Sequence, residues 1–360
     1  MQSRPLVIIT TRLAPQICGV GSFSWLLNQH WPGGGAQNRF LVVDGAEKSR
    51  PELGNVKIAE FGGNWRRLTQ ELQAAGDVDV FLHYTGRGYS RYGCPLGLPD
   101  ALQKWKTQSR RSRIFIFFHE LPGHLPITSK HFVPNYCNRR VVGRLARLAD
   151  GVITNTTEHV RTLEKLAPRT EITLLPVPAT IEPGNPSSSD RIQSEFVVFG
   201  LPFGRWQTLQ AFDSHIRRWQ QNDLLTKLHV IGAPDQKFDL RSNALLSAHE
   251  PETVVRHGEL GPSQISELLY RAQFALTTAD EATWSKSTTL MAYAAHGCNV
   301  VALAKSPNQP LCWTVPADEV GAIKDSELQR RAKAMQHWYE SHAEWRIIAA
   351  KISELIETCR

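Results

Sequence analysis

The stretch Leu174-Leu175-Pro176-Val177-Pro178-Ala179-Thr180-Ile181-Glu182-Pro183-Gly184-Asn185-Pro186-Ser187-Ser188-Ser189-Asp190 breaks the chain in two. Its prolines, glycine and serines are turn and linker residues, and no apolar period runs through them. Upstream of the break, short β-branched and aromatic runs at 6–9, 40–43, 78–82, 114–118, 151–154 and 172–175 read as strands. They are almost continuously apolar, as parallel strands covered on both faces must be. Helix-length amphipathic stretches at 22–30, 65–75, 101–106, 139–149 and 158–166 separate them. Downstream the alternation restarts. Strands are expected at 196–199, 228–231, 253–256, 274–277 and 300–302, with helices at 206–220, 240–248, 262–270 and 288–296. Strand–helix alternation on both sides implies two doubly wound α/β domains. The expected limits are 1–181, a linker at 182–191, and 192–326. A helical tail at 327–360 carries Trp338, Trp345, Ile348, Ile352 and Ile356 at helical spacing and is expected to pack back toward the first domain.

Length and composition agree with two domains. The chain has 360 residues, 41% hydrophobic and 21% charged, which is enough apolar material for two cores. No run approaches the about 18 apolar residues that a spanning helix needs. The N-terminus enters a strand-like Leu6-Val7-Ile8-Ile9 with no secretory h-region before it, so a cytoplasmic protein is expected. Six cysteines, at 18, 94, 137, 298, 312 and 359, show neither a CxxC pair nor metal-ligand spacing, and no metal site is expected. The net charge of +7 suits a phosphorylated substrate or an anionic membrane surface, with peripheral contact at the inner face of a membrane as one consequence. Scattered arginines without a recognition module do not make a nucleic-acid binder.

Several loops carry candidate chemistry. Gly19 and Gly21 follow the first strand and open a helix, where free amides favour anions. The dinucleotide fingerprint is incomplete, because Ser24 stands where a third glycine belongs, and a purely structural turn explains the pair equally well. Polar residues gather at two strand ends, His83-Tyr84-Thr85-Gly86-Arg87 and His119-Glu120, and carboxyl ends of parallel strands are where open α/β sheets bind ligands. In the second half, Gly200-Leu201-Pro202-Phe203-Gly204-Arg205 follows a strand and precedes a helix, offering Arg205 for bidentate phosphate contacts. The most informative segment is the strand, polar loop and helix of 276–298. Lys286 there stands beside Ser287, an N-cap residue, and the amides of Ser287, Thr288 and Thr289 are expected to be unpaired at the helix start. That arrangement suits a diphosphate.

In order and spacing these stretches resemble the retaining GT-B glycosyltransferases of the "glycosyl transferases group 1" kind. The pattern takes in the glycine loop at 19–21, His119, Ala149-Asp150-Gly151-Val152-Ile153-Thr154-Asn155-Thr156, the exit at 174–178, the loop at 200–205, Leu228-His229-Val230-Ile231-Gly232-Ala233, His257-Gly258-Glu259-Leu260 and the 276–298 block. The resemblance implies two Rossmann-like domains facing across a cleft. It also implies metal-independent transfer of a sugar, with retention of configuration, from a UDP- or GDP-type nucleoside diphosphate sugar to a glycan, lipid-linked or small-molecule acceptor. In that reading Gly19, Gly21, Gly200, Arg205, Lys286, Ser287, Thr288 and Thr289 hold the donor, and Arg12, Tyr84 and Arg87 the acceptor. His119 and Glu120 belong to the catalytic set, His119 contacting the transferred sugar. One departure stands out. Trp284 and Ala292 occupy the places of the two glutamates usual in the group; Asp280 and Glu281 are the carboxylates of that loop available to substitute, with Glu281 assigned to catalysis.

Losing those glutamates makes a catalytically silent protein that binds a nucleotide sugar or glycan the main alternative. A nicotinamide-dependent oxidoreductase is the third reading, weakened by the incomplete fingerprint and the missing ribose-binding acid.

Overall fold

The structure is a computed structural model, and it describes residues 5–13, 18–44, 56–109, 111–123, 125–185, 191–246 and 252–359. Expectations that fall on 186–190 of the linker and on the end of the 240–248 helix lie outside the described residues. The chain forms two compact units, Met1–Pro176 with Trp345–Arg360, and Val177–Glu344.

The first unit runs β1 (Leu6–Thr10), α1 (Gly19–Gln29), β2 (Arg39–Val42), β3 (Lys57–Glu60), α2 (Trp65–Ala74), β4 (Asp79–Tyr84), α3 (Gly86–Tyr89), α4 (Gly97–Gln108), β5 (Ile114–Phe118), α5 (Phe132–Leu148), β6 (Gly151–Thr154), α6 (Thr157–Leu166) and β7 (Ile172–Leu174). Its seven strands are parallel in the order β3-β2-β1-β4-β5-β6-β7. β1, β4, β5 and β6 are buried along their whole length, which accounts for their unbroken apolar runs. The edge strand β3, Lys57-Ile58-Ala59-Glu60, escaped the sequence reading because a half-buried edge needs no apolar run.

The second unit runs β8 (Ile192–Phe199), α7 (Pro202–Gln221), β9 (Lys227–Ile231), α8 (Gln236–Leu246), β10 (Val254–Gly258), α9 (Pro262–Arg271), β11 (Ala272–Leu276), α10 (Thr288–Ala295), β12 (Asn299–Ala302), β13 (Val315–Pro316) and α11 (Asp325–His342). Its six parallel strands are ordered β10-β9-β8-β11-β12-β13.

Four helix starts, the unit boundary and the tail differ from expectation. Helices α4, α5 and α7 begin earlier than their apolar periods suggest, because Pro99, Pro134 and Pro202 sit in first turns, where a missing N–H leaves no bond unmade. Helix α8 also starts early, since the Asp235 carboxylate accepts the amides of Lys237 (3.1 Å) and Phe238 (3.2 Å). The unit boundary falls at 176/177 and not at 181: Ala179 and Ile181 are buried in the second core, and the Ala179 amide donates to the Tyr339 hydroxyl at 3.4 Å. The expected tail divides. Helix α11 stays with the second unit, where Trp338 meets Trp284 edge-on at 5.4 Å. A last helix, α12 (Trp345–Thr358), belongs to the first unit, and its Trp345 packs edge-on against Phe23 of α1 at 5.0 Å.

Candidate active site

In the second unit, strand order departs in opposite directions from the pair β8 and β11. Loops leaving the carboxyl ends of such a pair diverge and open a crevice. A cavity of about 730 Å³ fills that place, lined by Gly200, Leu201 and Gly204 at the start of α7 and by Lys286, Ser287 and Thr289 at the start of α10. Thr277 and Asp280, from the loop after β11, complete its wall. Gly200 has φ of 134°, and a Cβ there would stand 3.0 Å from the Thr289 hydroxyl, so the close approach of the two loops needs glycine.

Both helix starts offer positive character to the cavity. Pro202 is the first residue of α7. At α10 the Ser287 hydroxyl caps the Leu290 amide at 3.2 Å. The Ser287 amide is itself used, donating to the Trp284 carbonyl at 3.1 Å, which corrects the expectation of three open amides to two. Those of Thr288 and Thr289 have no acceptor among the described residues. The Lys286 ammonium is exposed and likewise has no hydrogen-bond or ion-pair partner among the described residues. Two helix N-termini and one uncommitted cation around the crevice give it positive character.

Two expected participants are engaged elsewhere. Arg205 is only 5% exposed and does not line the cavity. Its Nη1 donates to the Gly200 carbonyl at 2.7 Å and its Nη2 to the Ala233 carbonyl at 2.8 Å, with Asp239 at 3.7 Å. The guanidinium therefore clamps the loop after β8 to the loop after β9, away from the cavity lining. Burial pushes its pKa down, countered by Asp239 and Asp235. The Glu281 carboxylate accepts from Ser306 Oγ and, at 2.8 Å, from Asn308 Nδ2, and lies outside the cavity lining. Asp280, held by the Thr283 hydroxyl at 2.6 Å, is the carboxylate that lines it. Trp284 packs on Trp338, and Ala292 is fully buried.

The first unit gathers another set. Arg87 and Glu120 line a cavity of about 190 Å³ with His131, Asn135 and Asn138 from the approach to α5 and its first turns. Those last three gave no sequence signal, because tertiary folding alone brings α5 to the ends of β4 and β5. Tyr84 is fully buried beneath, its hydroxyl donating to Asn138 Oδ1 at 2.5 Å, so it positions the pocket wall and cannot meet an acceptor directly. Arg12 pairs with Asp44 at 2.9 Å and lines neither cavity. His119 is buried, stacked on Phe117 at 4.3 Å, and its Nε2 lies 3.0 Å from His83 Nδ1. Burial foremost, and then the His159 charge, lower its pKa to about 3, so it is a neutral imidazole at physiological pH.

The glycine loop reads structurally. A Cβ on Gly21 would stand 1.7 Å from the Arg12 carbonyl oxygen, whereas one on Gly19 would meet nothing among the described residues within 4 Å. Gly21→Ala is expected to lower stability by about 2 kcal/mol through overpacking, with nucleotide affinity intact. Urea unfolding and calorimetric titration check this, and lost nucleotide binding at unchanged stability would return the loop to a donor role.

Two all-parallel Rossmann-like sheets with a crevice at a topological switch point define the GT-B fold. Solved structures bear this out over essentially the whole chain. Similar ones include a glycosyltransferase from Rickettsia africae (TM-score 0.70, 10% identity, covering 100% of this chain and 99% of that one). A sucrose-phosphate synthase from Thermosynechococcus elongatus matches at TM-score 0.68 and 12% identity over 99% of each chain. An α,α-trehalose-phosphate synthase (UDP-forming) from Burkholderia xenovorans, in complex with glucose-6-phosphate, matches at 0.68 and 12%, covering 98% and 100%. At such identities the likeness is one of fold. No protein-family model matches the chain, and no curated protein matches it. No helix among the described residues is long and apolar enough to cross a membrane.

Proposed function

We propose that the chain is a glycosyltransferase that takes a sugar from a nucleoside diphosphate sugar of the UDP or GDP type. The observation that carries this reading is the 730 Å³ cavity of the second unit, where the starts of α7 and α10 and the uncommitted Lys286 converge. A diphosphate bound there gains two open amides and an ammonium. These groups also stabilise the charge that develops on the leaving diphosphate as the glycosidic bond breaks. Asp280 takes the carboxylate role that Glu281 was expected to fill, accepting hydrogen bonds from sugar or ribose hydroxyls. The pocket holding Arg87 and Glu120 is the candidate for the acceptor. His119, neutral and buried against His83 and Phe117, supports the ends of β4 and β5 and does not act as an acid. Retention of configuration, independence of metal and a hexosyl group as the transferred sugar extend the same proposal, and rest on the resemblance in sequence pattern.

Lys286→Ala is expected to weaken UDP or GDP binding at least about tenfold, or about 1.4 kcal/mol, while the melting temperature stays put. Calorimetric titration of both proteins with each nucleotide checks it. Unchanged affinity removes Lys286 from the site.

The buried Ala292 and the Trp284 ring, standing where the resemblance places glutamates, favour a second reading: a protein that binds the nucleotide sugar without turning it over. Labelled UDP- and GDP-sugars separate the two. Transfer or hydrolysis above background supports the enzyme, and saturable binding without turnover across a broad acceptor set supports the silent protein.

A further inference from the structure

Helix α5 carries five exposed side chains on one stripe: Val133, Tyr136, Arg140, Arg144 and Arg147. Steps of three and four residues keep them within one face of a helix. The stripe changes character along its length. Its start is apolar, with Val133 67% exposed and Tyr136 47%, and the preceding loop adds Ile127 at 79%. Its remainder is cationic, and no acidic residue occurs anywhere from Phe132 to Leu148.

Two of the three arginines are displayed with no carboxylate partner among the described residues. Arg140 lies over the Tyr136 ring at 5.0 Å and donates to its hydroxyl at 2.6 Å, which extends the guanidinium outward and leaves its charge uncompensated. Arg147 donates to the Leu166 carbonyl at 2.6 Å, again a neutral acceptor. Only Arg144 meets a carboxylate, that of the exposed Asp100. Grooves of about 490 and 480 Å³ run along the two sides of this ridge, and Arg144 and Arg147 line both.

We infer that this stripe is a docking surface for an anionic phospholipid membrane. The charge favours a surface of phosphates, and the exposed valine, isoleucine and tyrosine at one end have an apolar layer to enter only beneath lipid headgroups. A soluble polyphosphate would leave those apolar side chains in water. A second copy of the chain would set like charges against each other, because a two-fold interface pairs a patch with itself. The inference concerns the first unit only and stands whether or not the second unit binds a nucleotide.

The test is flotation of the full chain with vesicles of phosphatidylcholine alone or with about one-third phosphatidylglycerol, at low and high salt. Binding is expected only to the anionic vesicles. Arg140→Glu/Arg144→Glu/Arg147→Glu should lose at least about tenfold in vesicle affinity. Since Arg144 and Arg147 also tie α5 to its neighbours, Arg140→Glu alone is the second variant. Its hydrogen bonds go to Tyr136, and it should lose about threefold with unchanged thermal unfolding. Ile127→Ser/Val133→Ser should keep low-salt attraction and lose binding first as salt rises. Three results overturn the inference: wild type ignoring anionic vesicles, the charge-reversed variants floating as well as wild type, or inorganic pyrophosphate raising the melting temperature of wild type alone without any vesicle binding. A wild-type dimer that the Arg140→Glu variant cannot form, with no flotation, likewise replaces the membrane by a second copy.

Discussion

Replacing Arg205 with methionine should lower the stability of the protein by about 3 kcal/mol, through the loss of two buried charge-assisted hydrogen bonds. Methionine fills much of the volume and supplies no donor, so the carbonyls of Gly200 and Ala233, now met at 2.7 and 2.8 Å, lose their partner. The site is tight as well. A Cβ on the neighbouring Gly232 would lie 2.1 Å from Arg205 Nη1, which shows how closely the two loops wrap the guanidinium. Because Gly200 lines the cavity proposed for the nucleotide, affinity for UDP or GDP should fall together with stability, at least about tenfold. The pairing with Lys286→Ala is informative: that variant loses affinity alone. Urea unfolding and calorimetric titration of both variants check the pattern. An Arg205→Met protein of wild-type stability with weakened nucleotide binding would put the guanidinium on the phosphate after all.

Mild acid should also destabilise the protein strongly. Burial lowers the pKa of His119 to about 3 and that of His296 to about 4, in the second case against the pull of the Ala292 carbonyl. His296 is buried, with Nδ1 donating to that carbonyl at 2.7 Å and Nε2 lying 2.9 Å from the Ser266 hydroxyl. An unfolded imidazole takes a proton below about pH 6.5, while these folded ones refuse it until much lower pH. The unfolded chain then binds more protons, so the contribution is complete above about pH 6.5 and is lost progressively as pH falls toward the folded values. At pH 5 each of the two histidines contributes a loss of about 2 kcal/mol. His83, His229 and His257, all shifted down chiefly by burial, act in the same direction. The carboxylates held low, Glu195 by Arg271 and His229 and Glu327 by Arg330 and Arg331, give up their share only at lower pH. Urea midpoints at pH 7.5 and pH 5 measure the effect, and His296→Gln should reduce it. A flat profile across that window would contradict the buried neutral histidines.

Much of the scaffold was legible in order of residues alone. Strands β5 and β6 fall where their apolar runs begin and end, because a parallel strand covered on both faces must be apolar at every position. Ser287 was readable as an N-cap, and the cavity at the start of α10 could be anticipated from it. Thr277 and Thr278, a polar pair directly after a strand, were the available signal for the rest of that wall.

Local pattern by itself determined two doubly wound halves, a break within 174–190 and a capped helix start beside Lys286, since periodicity and capping depend on residues a few places apart. Only the tertiary structure decided which polar side chains remain free for a ligand. Arg205 is claimed by a carbonyl 28 residues away and Glu281 by an amide 27 residues away, partners that no short-range pattern can reveal. Lys286 and Asp280 keep their place at the cavity because folding brings them no such long-range competitor among the described residues.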